Sequence, residues 1–255
     1  NILGTAERVR SFKTADAQRF TQRYYRPENS IFFLYGDVDF KRVVRLLERA
    51  TSDFAPSKPI IEPALNQPLP LNMPDFIEKN HGTHQAHVMV GTRGYDIHDK
   101  RRMSLYLLNN LLGGPGMNAR LNLSLRERHG LVYTVESSMV SYCDTGVWAI
   151  YFGCDPKDVG RCLKLVRKEL DRVIQKPLSD TQLRAVKKQI KGQIGVACDN
   201  RESFALDFGK SYLHYGWERD LNSLFRHIDE VTAESMQQVA AELMQQERLT
   251  TLVID

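Results

Sequence analysis

Proline placement constrains this chain more than any other feature. Six of its ten prolines, Pro56, Pro59, Pro63, Pro68, Pro70 and Pro74, fall between residues 56 and 74. Proline offers no backbone N–H and fixes φ, so such a stretch can enter neither a helix interior nor a central strand. The segment 56–75 therefore reads as an extended, semi-rigid linker, reaching about 65 Å if each residue spans about 3.3 Å. It divides the 255 residues into a short piece, 1–55, and a long piece, 76–255.

In the short piece a helix is predicted from a cap at Thr14 to about Tyr25, followed by the turn Arg26-Pro27-Glu28-Asn29. The apolar run Ile31-Phe32-Phe33-Leu34-Tyr35, closed by Gly36-Asp37, has the mark of a buried strand, and a second helix is expected over 40–51. A single strand leaves its ladder donors and acceptors unpaired. This piece is therefore expected to complete a sheet supplied elsewhere.

The long piece alternates. Strands are expected over 76–78 and 85–91, and a hairpin pair over 132–140 and 147–152 around the turn 141–146. Helices are expected over 100–112, 117–128 and 157–174, then from the capping box Ser179-Asp180-Thr181-Gln182. Further helices over 203–215, 221–227 and 232–245 precede a closing strand over 249–254. Early strands, late helices and a hairpin predict an α+β fold, with an antiparallel or mixed β-sheet and helices packed on one face.

The two ends of the chain resemble each other. At an offset of 218, Thr14-Ala15-Asp16-Ala17 meets Thr232-Ala233-Glu234-Ser235, and 31–35 meets 249–253. Both ends read as a threonine cap, an acid in the first turn where the helix dipole favours it, a helix and then an apolar strand. Chance likeness between two helix–strand units gives the same pattern. Tandem duplication also accounts for the unpaired strand. On that reading 1–55 is the C-terminal remnant of a first domain and 76–255 a nearly complete second copy, so the chain is expected to be part of a longer protein.

Composition narrows the function classes. The formal charge of +4, from 35 basic and 31 acidic residues, is mild and unconcentrated, so no nucleic-acid partner is expected. No run approaches the roughly 18 apolar residues of a membrane-spanning helix. A soluble globular protein is expected, and its compartment is not legible. Cys143, Cys154, Cys162 and Cys198 form no CxxC pair and are expected to be mostly buried thiols. On a strand over 85–91, His81 and His87 fall on one face and His84 on the other, with no acidic ligand near, so no metal site is expected there. Arg184, Lys187, Lys188 and Lys191 form a basic helix face, read as solvated; a wall attracting acidic peptides is the alternative.

The richest segment is 111–135, LLGGPGMNARLNLSLRERHGLVYTV. Gly113, Gly114 and Gly116, with Pro115, read as a turn between helices. A glycine loop before a helix can also bind an anion, and Gly114-x-Gly116-x-x-Ala119 loosely matches a dinucleotide fingerprint. That fingerprint must follow a strand, whereas here a helix precedes it and Pro115 removes an amide. Taken alone, Arg126 reads as a solvated helix residue and Tyr133 as a half-buried strand aromatic.

This segment resembles the second-domain signature of the pitrilysin, insulinase and mitochondrial processing peptidase family, the inverzincins. The pattern stands here as Leu112-Gly113-Gly114, Met117-Asn118-Ala119-Arg120-Leu121, Leu125-Arg126, Gly130-Leu131, Tyr133 and Val135. Tyr25-Arg26-Pro27-Glu28-Asn29, with the apolar run and Gly36-Asp37, resembles the end of the family's first domain, and Gln85-Ala86-His87 the entry strand of its second.

The resemblance implies a duplicated-domain zinc peptidase whose H-x-x-E-H motif lies on a first-domain helix. No H-x-x-E-H occurs here; its counterpart in the second copy reads Tyr106-Leu107-Leu108-Asn109-Asn110. The chain is thus implied to be the non-catalytic C-terminal half, with no catalytic residue, metal or cofactor of its own and with zinc in an N-terminal domain preceding Asn1. In the family an Arg and a Tyr seven residues apart hold a substrate backbone carbonyl. Arg126 and Tyr133 match that spacing, and both are donors suited to an oxygen gaining negative charge. Gly113, Gly114 and Gly116 are implied to line the substrate path. The implied partners are a peptide or unfolded polypeptide and the zinc-bearing domain or a sister subunit. A non-peptidase scaffold or assembly subunit of the same fold is the alternative.

Overall fold

The computed structural model describes residues 3–55, 73–216 and 220–255. The expected linker 56–75 lies outside them except for 73–75. The chain forms two compact units, one from residues 3–55 and 198–216, the other from 73–197 and 220–255.

The larger unit is built on a five-stranded sheet in the order β1-β5-β2-β4-β3. Its strands are β1 (Phe76–Lys79), β2 (Ala86–Gly94), β3 (Val132–Ser141), β4 (Gly146–Cys154) and β5 (Thr250–Ile254). β1 runs parallel to β5 and the other pairs are antiparallel, so the sheet is mixed. Alternation sorts the two faces: Ala86, Val88 and Val90 of β2 are buried, while His87 and Met89 between them are exposed. Trp148, Ile150 and Phe152 of β4 are fully buried, and a helical layer covers the sheet: α4 (Arg102–Gly113) lies on β3, α9 (Ala233–Leu243) on β2, and α5 (Val159–Gln175) beside α9. α5 presents Cys162, Val166, Leu170 and Val173, spaced three or four apart on one stripe. Full burial of each such leucine or valine is worth about 1.5–3 kcal/mol, which makes this layer the core.

α6 (Asp180–Cys198) is tied to the end of α8 (Leu221–Glu230). The Lys191 ammonium reaches both carboxylate oxygens of Asp229 at 2.6 and 2.7 Å, and Lys187 donates to the Asp229 carbonyl at 2.7 Å. Half of the basic face expected to be solvated is therefore engaged within the unit.

The smaller unit holds α1 (Ala6–Ser11), α2 (Thr14–Tyr24), α3 (Phe40–Ala50) and α7 (Arg201–Tyr215). Its apolar run 31–35 is extended but pairs with no strand among the described residues, contrary to the expected strand. A strand needs a neighbour to take its backbone groups. Here the run instead lays Phe33 against Phe208 at a centroid distance of 4.9 Å, and Tyr35 against Phe204 at 5.6 Å.

The repeat is present in the backbone at an offset of 219, which carries the N-cap Lys13 of α2 onto the N-cap Thr232 of α9. The residue ending the preceding helix has φ −65° in both, Phe12 with ψ 136° and Val231 with ψ 131°. Both helices run eleven residues, and each is followed by a three-residue 3-10 turn, Pro27–Asn29 and Gln246–Arg248. The next residues are 31–35 after the first turn and β5 after the second. The Thr14–Thr232 match falls one residue short because Thr14 is the first helical residue, and Asp16 caps by accepting from the Lys13 N–H at 2.9 Å.

Candidate functional site

The helix expected over 117–128 forms only in part. Residues 114–119 turn, and the chain then winds up from Arg120 into a π-helical segment, Asn122–Glu127. Its signature is the Arg128 N–H bonded to the Leu123 carbonyl, five residues back, at 3.1 Å. Leu121, Ser124 and Leu125 point into the core, leaving Arg126 half-exposed. Gly130, at φ +60°, then reverses the chain into β3.

β3 is irregular at its start. Val132 pairs with Cys154 and Val135 with Phe152, so Tyr133 and Thr134 of β3 together oppose the single Gly153 of β4, a bulge. A bulge re-aims the side chains it carries. Tyr133 is 79% exposed, and the Arg126 guanidinium carbon stands 5.7 Å from its ring centroid. The Arg126 Nε lies 3.8 Å from a Glu127 carboxylate oxygen, a loose ion pair that leaves most of the fork free.

Both residues line a groove of about 460 Å3. Gly113, Gly114 and Gly116 line it as well, so the structure brings together all five residues singled out in the sequence. The first two glycines serve close packing rather than an unusual φ. A Cβ on Gly113 would collide with the backbone N of Ser137 in β3, and one on Gly114 would lie 2.6 Å from the Asn110 carbonyl. The end of α4 thus presses directly on β3 beside the bulge.

Tyr106, Asn109 and Asn110 of α4 face the same groove, with Glu136 of β3 and Gln193 of α6. The Asn110 side-chain amide donates to Gln193 Oε1 at 2.6 Å, and the Ser137 hydroxyl to the Asn109 carbonyl at 2.7 Å. Asn109 Oδ1 is buried with no hydrogen-bond partner among the described residues. These amides and one phenol supply no imidazole, and Glu136 is the one carboxylate of the lining. The donor set does not fit a zinc ion. Among the described residues no group of three or more His, Cys, Asp or Glu could hold a metal.

Sequence reasoning missed Glu136 and Gln193. Each is an unremarkable polar residue until strand register and helix placement bring it to the groove. It overstated the burial of the thiols: Cys154 and Cys162 are buried, Cys198 is intermediate and Cys143 is exposed. Cys143 sits in the hairpin turn, which has no core to enter. Among the described residues no helix is long and apolar enough to cross a membrane.

The mixed sheet under its helical layer is the fold of a class of peptidase-type domains described as inactive. The chain belongs to the peptidase M16 inactive domain family, whose model matches residues 11–190. It is 31% identical over 251 residues to an uncharacterized zinc protease of Streptomyces coelicolor, covering 95% of this chain and 54% of that protein. It is 26% identical over 248 residues to the mitochondrial-processing peptidase subunit beta of Bos taurus, covering 93% and 50%. The chain therefore spans about half the length of the curated relatives it matches.

Two solved structures share the fold. A protease from Helicobacter pylori matches with a TM-score of 0.85 at 20% identity, over 99% of this chain and 61% of that one. A peptidase M16 inactive domain from Pseudomonas fluorescens matches with a TM-score of 0.81 at 20% identity, over 98% and 60%.

Proposed function

We propose that this chain is the substrate-gripping, non-catalytic half of a zinc-dependent peptidase, and that Arg126 and Tyr133 hold a backbone carbonyl of an extended peptide. The observation carrying this reading is the convergence of these two donors with the glycine corner in one groove. A guanidinium and a phenol side by side can both donate to one carbonyl oxygen, and such donation strengthens as the oxygen gains negative charge. The edge position of β3 fits an extended ligand, because among the described residues no strand lies beside its outer backbone groups.

On this reading residues 1–55 close a first domain that carries the zinc, residues 56–75 link the two copies, and 76–255 are the inactive copy. The repeat supports it in physical terms. Phe12, Phe20, Tyr25 and Leu34 are 55% or more exposed. Their equivalents at the 219 offset, Val231, Val239, Met244 and Val253, are at most 6% exposed. Residues that a complete copy buries are bare in the partial one. β5, the equivalent of 31–35, lies between two strands, so the missing part would supply a neighbour on each side.

The test is peptide hydrolysis by the full-length protein with Tyr133→Phe. Loss of one oxyanion donor is expected to lower kcat/KM by about 10²-fold with the melting temperature unchanged. Unchanged kcat/KM overturns the reading.

A further inference from the structure

A second concave site uses residues that the groove leaves aside. On the segment 119–128, Asn122 and Arg126 line the groove, whereas Arg120 and Arg128 line a separate crevice of about 920 Å3. Its other wall is the end of α5 and the loop into α6, which bring Glu169, Arg172 and Lys176. Four cations therefore share one carboxylate. Glu169 is 4% exposed, and its Oε1 accepts from Arg172 at 2.6 Å. Arg120, Arg128 and Lys176 make no ion pair within 4 Å among the described residues.

Arg120 is half-buried, and loss of its water holds its guanidinium below the usual pKa despite the field of Glu169. A cation stripped of water without a partner carries a cost that an incoming anion removes. The N-terminus of α6 already carries the acid Asp180, and the Ser179 N–H before it is taken by Gln182 Oε1 at 3.0 Å.

We propose that this crevice binds a small phosphate-type anion carrying two or more negative charges. Guanidinium forks match phosphate oxygens two at a time, and three arginines line this crevice with one lysine, Arg172 among them being already bonded to Glu169. After Glu169 is counted, the excess of cations outruns what a single carboxylate neutralises and suits a phosphate or diphosphate. The site is concave and of the size that encloses a small molecule. A lipid surface would instead meet a convex basic face.

Calorimetric titration of the full-length protein with inorganic pyrophosphate, at constant ionic strength, tests this. Saturable binding is expected. It should weaken at least tenfold in Arg128→Ala/Lys176→Ala and stay unchanged in Arg184→Ala/Lys188→Ala, which alters two exposed cations of α6 outside the crevice. Melting curves without ligand should coincide for all three proteins, which separates loss of binding from loss of fold. Equal weakening in both variants overturns the proposal, as does citrate binding as tightly as pyrophosphate. Binding to phosphatidic acid vesicles with no response to pyrophosphate also overturns it, in favour of a membrane surface.

Discussion

The Arg126 guanidinium carbon stands 5.7 Å from the centre of the Tyr133 ring, although one residue comes from a π-helical turn and the other from a β-bulge. Each irregularity inserts one extra residue into an otherwise regular element, and each turns a side chain toward the same groove. A cation over a ring at an exposed site is worth about 0.5–1 kcal/mol. That is enough to favour one mutual orientation of the two donors before a ligand arrives, so less freedom is lost on binding.

If both donors serve one carbonyl oxygen, their effects are not independent. Arg126→Ala and Tyr133→Phe should each lower kcat/KM of the full-length protein by about 10²-fold. The double variant should lose clearly less than the product of the two, because the first loss already disorders the second donor. Unfolding free energies should stay within about 0.5 kcal/mol, since both side chains are largely exposed. Full multiplicativity in the kinetics would mean that the two residues touch different groups.

Gly113→Ala tests the contact that sets the groove's floor. The added methyl meets the backbone of β3 at Glu136 and Ser137, which cannot swing aside as a side chain could. A loss of about 1–3 kcal/mol is expected in urea unfolding, as for other overpacked positions. Gly160→Ala, in α5 with open space around the new methyl, is the control. It should be neutral or slightly stabilising, because alanine favours the helix by up to about 1 kcal/mol.

The long helices and the hairpin were legible because periodicity reports burial directly, whereas α1 was not expected and the helix over 117–128 forms only in part. Val159, Cys162, Leu163, Val166 and Leu170 announce α5 without any tertiary knowledge. The run 31–35 misled for the converse reason. Its composition is that of a central strand, but a strand exists only where neighbours take its hydrogen bonds. The repeat was visible one residue out of register, since matching Thr14 to Thr232 equates a helical residue with a cap. The motif pointed to Arg126 and Tyr133, while the two irregularities that orient them have no local signal. Leu121, Leu125 and Val132 in and beside these irregularities are buried, so their placement belongs to the tertiary core rather than to the local sequence.

Burial also sets thiol chemistry. Cys162 is fully buried, and desolvation pushes its pKa up to about 12; Cys154 is raised for the same reason. Neither forms appreciable thiolate at pH 8, and neither is reachable. A disulfide reagent at pH 8 should therefore label Cys143 at once and Cys198 more slowly, leaving Cys154 and Cys162 until the chain unfolds. Peptide mapping after timed quenching reads the order, and early label on Cys162 would contradict the packing of α5 against β4.

The acid limb of stability should depend on Asp99. Its carboxylate accepts from the Arg101 backbone N–H at 2.8 Å and from the Arg101 guanidinium at 2.6 Å. That guanidinium also reaches both carboxylate oxygens of Glu242 on α9, which in turn accepts from the Tyr95 hydroxyl at 2.8 Å. Arg101 thus joins the loop before α4 to α9. Hydrogen bonding by Arg101 holds the Asp99 pKa below the ordinary carboxylate value. A folded-state pKa below the unfolded one contributes stability that is complete above about pH 4, the unfolded value, and is lost as pH falls through the lower folded value. Asp99→Asn mimics the protonated acid. It should cost about 1 kcal/mol at pH 6, and the two unfolding curves should converge towards pH 2. Curves that stay parallel across that range would show that the Asp99 carboxylate has the same pKa folded and unfolded, which would remove its proposed part in the acid limb.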